Sequence, residues 1–326
     1  MLLHPPRTIP NLKKAPRLQE GDTVMIIAPA SPPSSDDIIH RATQRLEGSG
    51  FRVQIGSYAR ERNGFLAGLD SQRLSDLSEA LSSPSIKAIF CLRGGYGSGR
   101  IMHAAPFNEL TKYPKIFVGS SDLTGVLYGC ALDGNLLCFH GPTLESLVDQ
   151  SCSEFTWDKM IQIITGHSDS IGSILKGYQP TKPIESLNAG VASGRLIGGN
   201  LSVLLSLLGT RFFPSLEDSI LFLEDVGETP FRIDRFLTQL LNLGALQRVR
   251  GFALGLFERC EYRGPDAAQK QTLKDVVIDR LAPLGKPIVL GLPFGHTADN
   301  ATIPVGGLAT LDANRGDLIL EELSVD

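Results

Sequence analysis

Short apolar runs alternate with amphipathic segments along the first half of the chain. Five such runs predict β-strands at residues 23–29, 51–55, 86–92, 116–119 and 136–142. Between them, apolar positions recur at helical spacing, which predicts helices from Asp36 or Asp37 to about residue 49, over 71–81 and over 123–132. Strands that alternate with helices indicate a mostly parallel sheet covered on both faces.

The alternation weakens over residues 151–183 and then resumes. Further strands are predicted at 191–197, 219–226, 251–257 and 287–292, and helices at 157–165, 201–208, 235–243 and 271–281. The tail from Ala301 alternates like an antiparallel meander. Two prolines and two glycines within 172–183 are typical of a linker. We therefore expect an N-terminal domain over residues 1–172, a linker over 173–185 and a C-terminal domain over 186–326.

Composition narrows the class of protein. The chain has 326 residues, 42% hydrophobic and 20% charged, with a net charge of −4 and a pI near 5.9, so it shows no basic excess for nucleic acid. No apolar run reaches the roughly 18 residues that span a bilayer, and residues 1–7 lack the apolar core of a signal peptide. We expect a cytoplasmic protein. Five cysteines without a C-x-x-C pair give a metal site little support.

The fourth apolar run ends abruptly in Gly119-Ser120-Ser121-Asp122, and a helix-compatible segment follows at once. This pattern is typical of a strand-to-helix elbow, which lifts the side chain at its tip clear of the sheet and presents backbone N–H groups to an anion. Ser121 therefore stands where a nucleophile is useful. Ser-Asp before a helix is also an ordinary N-cap, and Leu123 replaces the last glycine of G-x-S-x-G. Taken alone, the stretch favours the cap.

A serine nucleophile needs a base, a group that orients the base, and donors for the oxyanion. Of the six histidines, His140 and His296 both follow predicted strands, where α/β sheets bind their ligands. The residues alone leave the choice of base between these two open.

Glu224 is the candidate for the orienting group. It comes directly after the apolar run 220–223, and a carboxylate at the end of a buried strand needs a partner. The structural alternative is an ion pair with Arg232 or Arg235. Competing carboxylates in the same stretch are Asp225 and Glu228.

The turn Arg93-Gly94-Gly95-Tyr96-Gly97 is the candidate oxyanion site. Paired glycines after a strand let the backbone approach a ligand closely, and one of their N–H groups could act together with that of Asp122. A plain turn or a phosphate loop is the alternative. The stretch does not match a P-loop, because no lysine follows it.

Seven stretches in order, covering nearly the whole chain, resemble the LD-carboxypeptidase family of serine peptidases. These stretches are Gly21-Asp22-Thr23 with Ala28-Pro29-Ala30-Ser31-Pro32, then Arg93-Gly-Gly-Tyr-Gly, Gly119-Ser-Ser-Asp-Leu-Thr, Phe139-His-Gly-Pro, Gly198-Gly-Asn-Leu, 223–235 and Pro293-Phe-Gly-His. One position departs from the family pattern, since Ser120 stands where an aromatic residue usually precedes the nucleophile.

The resemblance implies a catalytic triad and its fold. Ser121 would be the nucleophile, His296 the general base and Glu224 the group that orients it. The oxyanion hole would use the amides of Asp122 and of Gly94 or Gly95. The implied fold is α/β, with a flavodoxin-like parallel-sheet N-terminal domain that carries the serine. A smaller β-rich α/β C-terminal domain would carry the glutamate and the histidine.

The resemblance also implies a reaction and its partners. The enzyme would cleave the L,D-peptide bond that releases terminal D-alanine from murein tetrapeptides during cytoplasmic cell-wall recycling, without a cofactor or a metal, as a homodimer. Arg93, Arg232 and Arg235 are candidates for binding the substrate carboxylate. Two alternatives remain: a hydrolase of peptide-nucleotide antibiotics within the same fold, and a non-catalytic muropeptide-binding protein.

Overall fold

The fold contains two sheets whose parallel strands have buried, continuous apolar sequences. The computed structural model describes residues 4–9, 11–180, 182–262 and 271–326. In the described part of the chain, every helix is too short or too polar to cross a bilayer.

The first sheet is parallel except at one edge. Its strands are β1 (Thr23–Ile27), β2 (Arg52–Ile55), β3 (Ile86–Cys91), β4 (Ile116–Gly119), β5 (Cys138–His140) and β12 (Ile303–Val305). They lie in the order β12-β5-β4-β3-β1-β2, and β1 to β5 run parallel. The helices of this half are α1 (Asp37–Glu47), α2 (Asp70–Ser82), α3 (Thr124–Leu132), α4 (Leu144–Leu147) and α5 (Glu154–Ile164). All five strands expected in this half are confirmed.

The second sheet has four parallel strands at its centre and antiparallel strands at its edges. Its strands are β6 (Gly172–Ser173), β7 (Glu185–Asn188), β8 (Val191–Asn200), β9 (Ser219–Val226), β10 (Gly251–Glu258), β11 (Ile288–Gly295), β13 (Leu308–Asp312) and β14 (Asp317–Leu320). They lie in the order β6-β14-β13-β8-β9-β10-β11-β7. The helices are α6 (Leu201–Ser206), α7 (Pro230–Asn242) and α8 (Leu273–Leu281). The expected α/β fold class, with a parallel N-terminal sheet and a second sheet region, is confirmed.

The chain crosses between the sheets where the sequence predicted a simple meander. β13 and β14 form an antiparallel pair in the second sheet, but β12 adds to β5 at the edge of the first sheet. Pro304, at the middle of β12, suits this place because proline lacks the N–H that an inner strand must donate. The expected meander from Ala301 is therefore wrong for β12, while the division at 173–185 stays a prediction.

Helix α7 begins five residues before the expected helix 235–243. Pro230 occupies its first turn, where the missing N–H costs nothing, and Ile233, Leu237 and Leu240 form its buried face. This earlier start places Arg232 on the helix.

Candidate active site

The carboxyl ends of the parallel strands of both sheets meet around one cavity of about 520 Å³. The first sheet supplies Arg93 and Gly94 after β3 and Ser121 after β4, and the second supplies Arg259 after β10 and His296 after β11. A cavity of this size accommodates a short peptide or a cofactor-sized ligand.

Ser121 lies at a strained strand-to-helix turn. Its φ angle is +61°, in the left-handed region that a serine rarely occupies, and one short 3₁₀ turn leads from it into α3. The competing N-cap is not formed: neither Ser120 nor Leu123, at the N-cap positions, makes a side-chain cap hydrogen bond. Strain of this kind persists where the surrounding structure enforces it and clusters at functional sites.

Asp122 holds the elbow against the glycine turn instead of capping a helix. The N–H of Ser98 donates to its Oδ2 (2.8 Å), and the Ser98 hydroxyl donates to its backbone carbonyl (2.7 Å). Burial raises the pKa of the Asp122 carboxyl and outweighs the opposing hydrogen bonds from Ser98. The Asp122 side chain therefore has a local structural partner, which leaves its backbone amide as the group of interest.

The two glycines of the turn have different neighbours. A Cβ on Gly94 would lie 2.7 Å from the Cβ of Ser121, 3.0 Å from its Oγ and 3.4 Å from the amide nitrogen of Asp122. A Cβ on Gly95, whose φ is +91°, would instead overlap Ser31 Oγ at 2.4 Å. Only glycine permits this approach of the turn to the serine, and Gly94 is the residue that lies against it.

His296 is bound to Glu224. Its Nδ1 lies 2.7 Å from Glu224 Oε2, while 27% of the His296 side chain is exposed to the cavity and the Glu224 side chain is fully buried. Gly295, with φ +121°, permits this contact, because a Cβ there would come within 3.1 Å of Glu224. The N–H of Gly295 also donates to Asn300 Oδ1 (3.2 Å), which holds the turn that carries the histidine.

The charges of this pair shift both pKa values. Desolvation opposes ionisation of His296, but the charge and hydrogen bond of Glu224 outweigh it and raise the pKa of the imidazole. Desolvation likewise opposes ionisation of Glu224, and the charge and hydrogen bond of His296 keep the pKa of that carboxyl below its usual value. The contact thus keeps the Glu224 carboxyl ionised and makes the His296 imidazole more basic.

His140 lies on the other side of Glu224 and away from the cavity. Its Nε2 is 3.8 Å from Glu224 Oε1, and its side chain is fully buried. Burial lowers the pKa of His140 to about 4. Both histidines left open by the sequence therefore approach the same carboxylate, but only His296 lines the cavity.

The expected arginines divide into two groups. Arg93 lines the cavity, and its Nε lies 3.6 Å from Glu145 Oε2. Arg232 and Arg235 lie on α7 and do not line the cavity: Arg232 pairs with Glu228, and the Arg235 guanidinium lies 5.6 Å from the ring of Phe231. The ion pair of Glu224 with either arginine is not formed, and their expected contact with the substrate finds no support in this arrangement.

Sequence reasoning missed Arg259, Glu145 and Asp149, which also line the cavity. Arg259 directly follows β10, so the strand-end rule that selected the histidines would have found it too. Glu145 and Asp149 follow β5 in and after α4, with no comparable signal. Among the described residues, no group of three or more His, Cys, Asp or Glu side chains is arranged to hold a metal ion.

Comparison with known proteins identifies the family of the chain. The family models of the LD-carboxypeptidase (peptidase S66) N-terminal and C-terminal domains match residues 24–141 and 193–311. A putative carboxypeptidase of Synechocystis is 38% identical over 92% of this chain and 95% of its own length. A probable murein peptide carboxypeptidase of Bacillus subtilis is 34% identical over 94% of each chain.

Solved structures show the same fold. A muramoyltetrapeptide carboxypeptidase from Oxalobacter formigenes superimposes with a TM-score of 0.77 at 31% identity, covering 92% of this chain and 99% of its own. The microcin immunity protein MccF, in complex with glutamyl sulfamoyl guanosine, gives a TM-score of 0.87 at 22% identity, covering 97% and 100%. The chain belongs to the LD-carboxypeptidase family, and its enzyme class is that of a serine-type LD-carboxypeptidase.

Proposed function

We propose that this enzyme releases terminal D-alanine from murein tetrapeptides by a Ser121-His296-Glu224 acyl-enzyme mechanism. The observation that carries the proposal is the elbow serine and the glutamate-bound histidine on the wall of one cavity. The murein peptide specificity named for the Bacillus and Oxalobacter relatives supports the choice of substrate. Cytoplasmic cell-wall recycling and a homodimeric state belong to the same proposal.

The reaction begins with proton transfer from Ser121. Because Nδ1 of His296 is hydrogen-bonded to Glu224, Nε2 is the nitrogen that is free to accept a proton. It takes the proton from Ser121 Oγ as this oxygen attacks the carbonyl carbon. The attacked carbonyl belongs to the L-centre of the penultimate diamino acid. The oxyanion is bound by the amides of Asp122 and of Gly94 or Gly95, with Gly94 nearest to the serine.

The second half of the reaction restores the enzyme. The C–N bond breaks, the amine of D-alanine takes the proton from His296, and the acyl group stays on Ser121 Oγ. Water then gives a proton to His296 while its oxygen attacks the acyl carbon. The bond from that carbon to Ser121 Oγ breaks, Oγ takes the proton back from His296, and the tripeptide leaves with a free carboxyl group. No step requires a cofactor or a metal.

The charges on the cavity wall suit a substrate that carries both signs. Arg93 and Arg259 are cations for the D-alanine carboxylate or the free carboxylate of the diamino acid, and Glu145 and Asp149 are anions for its ammonium group. Among the described lining residues the imidazole of His296 is the one aromatic ring and none is Phe, Tyr or Trp, so the described wall offers no large ring on which a nucleobase would stack.

The likeness to MccF gives the antibiotic-hydrolase alternative its support. Trp157, the one tryptophan, does not provide the stacking surface, because the Arg45 guanidinium covers its ring at 4.3 Å and the residue does not line the cavity. The charged cavity, whose described wall has no Phe, Tyr or Trp, favours the murein peptide over a peptide-nucleotide.

A pair of adjacent serines provides the test and its control. Ser121→Ala is expected to lower D-alanine release from an L,D-linked tetrapeptide by at least about 10⁴-fold, whereas Ser120→Ala keeps its turnover.

Two further controls use the unaltered enzyme. A D,D-linked tetrapeptide should release no D-alanine, and a chelator should leave the rate of D-alanine release unchanged. Chromatographic detection of D-alanine checks each outcome. Full activity in Ser121→Ala refutes the mechanism, and substrate binding without turnover by the unaltered enzyme would instead identify a binding protein.

A further inference from the structure

His140 has no part in the reaction as proposed, although it lies within the site. Its side chain is fully buried at the end of β5, next to Gly119 of the nucleophile strand. Among the described residues, neither Nδ1 nor Nε2 of the ring has a hydrogen-bond partner. Buried polar groups without partners are rare and costly, so this imidazole requires an explanation.

Close to His140 lies an atom of Glu224 that also lacks a hydrogen-bond partner among the described residues. Oε2 of this carboxylate is bound to His296, while Oε1 has no hydrogen-bond partner among the described residues and lies 3.8 Å from His140 Nε2. Glu224 therefore lies between two imidazoles, one facing each oxygen. The side-chain amide of Asn200 also helps to lower the pKa of this carboxyl, but it donates to Asp225 Oδ1 (3.1 Å). Without a donor on Oε1 the carboxylate can rotate, which would move Oε2 away from the base.

The burial and close packing of His140 favour a neutral ring that can donate one hydrogen bond. Burial lowers the pKa of this imidazole to about 4, so near neutral pH it is uncharged and carries one N–H. The Phe222 ring packs against its edge at 5.5 Å, and a Cβ on Gly199 would lie 3.5 Å from its Nδ1, so the ring is closely surrounded. The 3.8 Å separation exceeds hydrogen-bond length, so the bond forms when the imidazole and the carboxylate come closer.

We propose that His140 is a positioning residue: its Nε2–H holds Oε1 of Glu224, so that Oε2 stays on Nδ1 of His296. This inference rests on the proposed function, because it assigns Glu224 the task of orienting the base. His140 itself touches neither the substrate nor the serine in this arrangement.

A fixed donor on Oε1 has a consequence with a definite sign. It keeps Oε2 on Nδ1 of His296, the contact that raises the pKa of the imidazole, so it raises the pH at which the Glu224–His296 pair takes up a proton. The other charged groups around the pair are Asp225, next to Glu224 on β9, and Arg259 after β10. Both remain when His140 is replaced, so removal of the donor alone shifts the titration of the pair to lower pH.

Three variants separate this role from packing. His140→Leu removes the donor, His140→Gln keeps a neutral N–H near the place of Nε2, and Phe222→Leu loosens the packing around the ring but leaves the donor. We expect His140→Leu to lower kcat by about 10-fold to 100-fold, the range for one hydrogen bond to a charged group, with a smaller change in KM. The acid limb of its kcat/KM profile should move to lower pH. His140→Gln should restore the limb, and Phe222→Leu should lower Tm without moving it.

The titration of the His296 Nδ1–H proton, followed by NMR, gives a readout that needs no turnover. Its midpoint should fall in His140→Leu and stay in place in His140→Gln. An unchanged or raised midpoint in His140→Leu overturns the inference. If His140→Leu does not fold, His140→Asn replaces it in the comparison. The Asn amide reaches the position of Nδ1 and leaves the position of Nε2 without a donor. Equal midpoints in His140→Asn and His140→Gln would then overturn it. A wild-type enzyme that releases no D-alanine refutes the proposed function, while the NMR midpoints still decide the role of His140.

Discussion

At the scale of single residues, the site depends on a carboxylate that is fully buried and still ionised. Desolvation alone would favour the protonated form of Glu224, but His296 at 2.7 Å reverses that preference. The same contact raises the pKa of His296. The strength of the base is therefore a property of the pair and not of the histidine alone.

Glu224→Gln tests this dependence. The variant keeps the shape of the side chain and removes its charge, so the pKa of His296 falls and the acid limb of kcat/KM moves to lower pH. We expect kcat to fall by about 10³-fold to 10⁴-fold, as for the loss of the orienting carboxylate in other triads. A pH–rate profile measures both effects. An acid limb that stays in place would show that Glu224 does not set the basicity of His296.

At the scale of elements, the strand ends and the turns after them determine which residues lie close to Ser121. The glycine turn after β3 packs against the elbow after β4, and Gly94 leaves no room for a side chain beside Ser121. The same turn is tied from behind, because the buried Arg73 guanidinium donates to the carbonyls of Pro29 (2.6 Å) and Gly97 (2.8 Å). The geometry around the serine thus depends on α2, which carries Arg73, as well as on the two strands.

Gly94→Ala tests the contact between turn and elbow. Its Cβ would lie 2.7 Å from that of Ser121, so the serine or the turn must shift. A displacement of about 1 Å costs on the order of 10²-fold in rate, and we expect at least that loss in kcat/KM. Gly99→Ala, in the same loop with open space around its Cβ, is the matched control and should retain its activity. Equal kinetics in the two variants would contradict the assignment.

At the scale of the whole molecule, the two sheets are joined directly behind the cavity. Tyr128 on α3 is fully buried, and its hydroxyl donates to the carbonyl of Gly198 (2.8 Å) while accepting from the N–H of the same residue (2.7 Å). Gly198 is on β8 of the second sheet and has φ +151°, and a Cβ there would collide with Phe222 O. Edge strand β12 adds a second connection, since it follows β11 and pairs with β5.

Tyr128→Phe tests the connection between the sheets. Removal of the hydroxyl leaves the N–H and the carbonyl of Gly198 buried without this partner, at about 1–3 kcal/mol for each group. We expect the free energy of unfolding to fall by about 2–4 kcal/mol, measured by urea denaturation. Tyr113→Phe, at a half-exposed tyrosine, is the control and should change stability little. A Tyr128→Phe variant as stable as the control would show that this contact does not hold the sheets together.

The order of elements and the α/β class were readable from the linear chain, because apolar periodicity is a local property. The residues around Ser121 allowed an elbow but favoured an N-cap, and the family was identified from the resemblance of seven stretches in order. Local pattern could not decide that β12 crosses to the first sheet, that Arg259 and not Arg232 or Arg235 lines the cavity, or that two histidines approach one carboxylate. Those facts depend on which strand ends face each other after the sheets dock. Docking is governed by contacts between residues about 70 to 150 positions apart, such as Tyr128 with Gly198 and Thr156 with Asn300. Periodicity along the chain carries no information about such pairs.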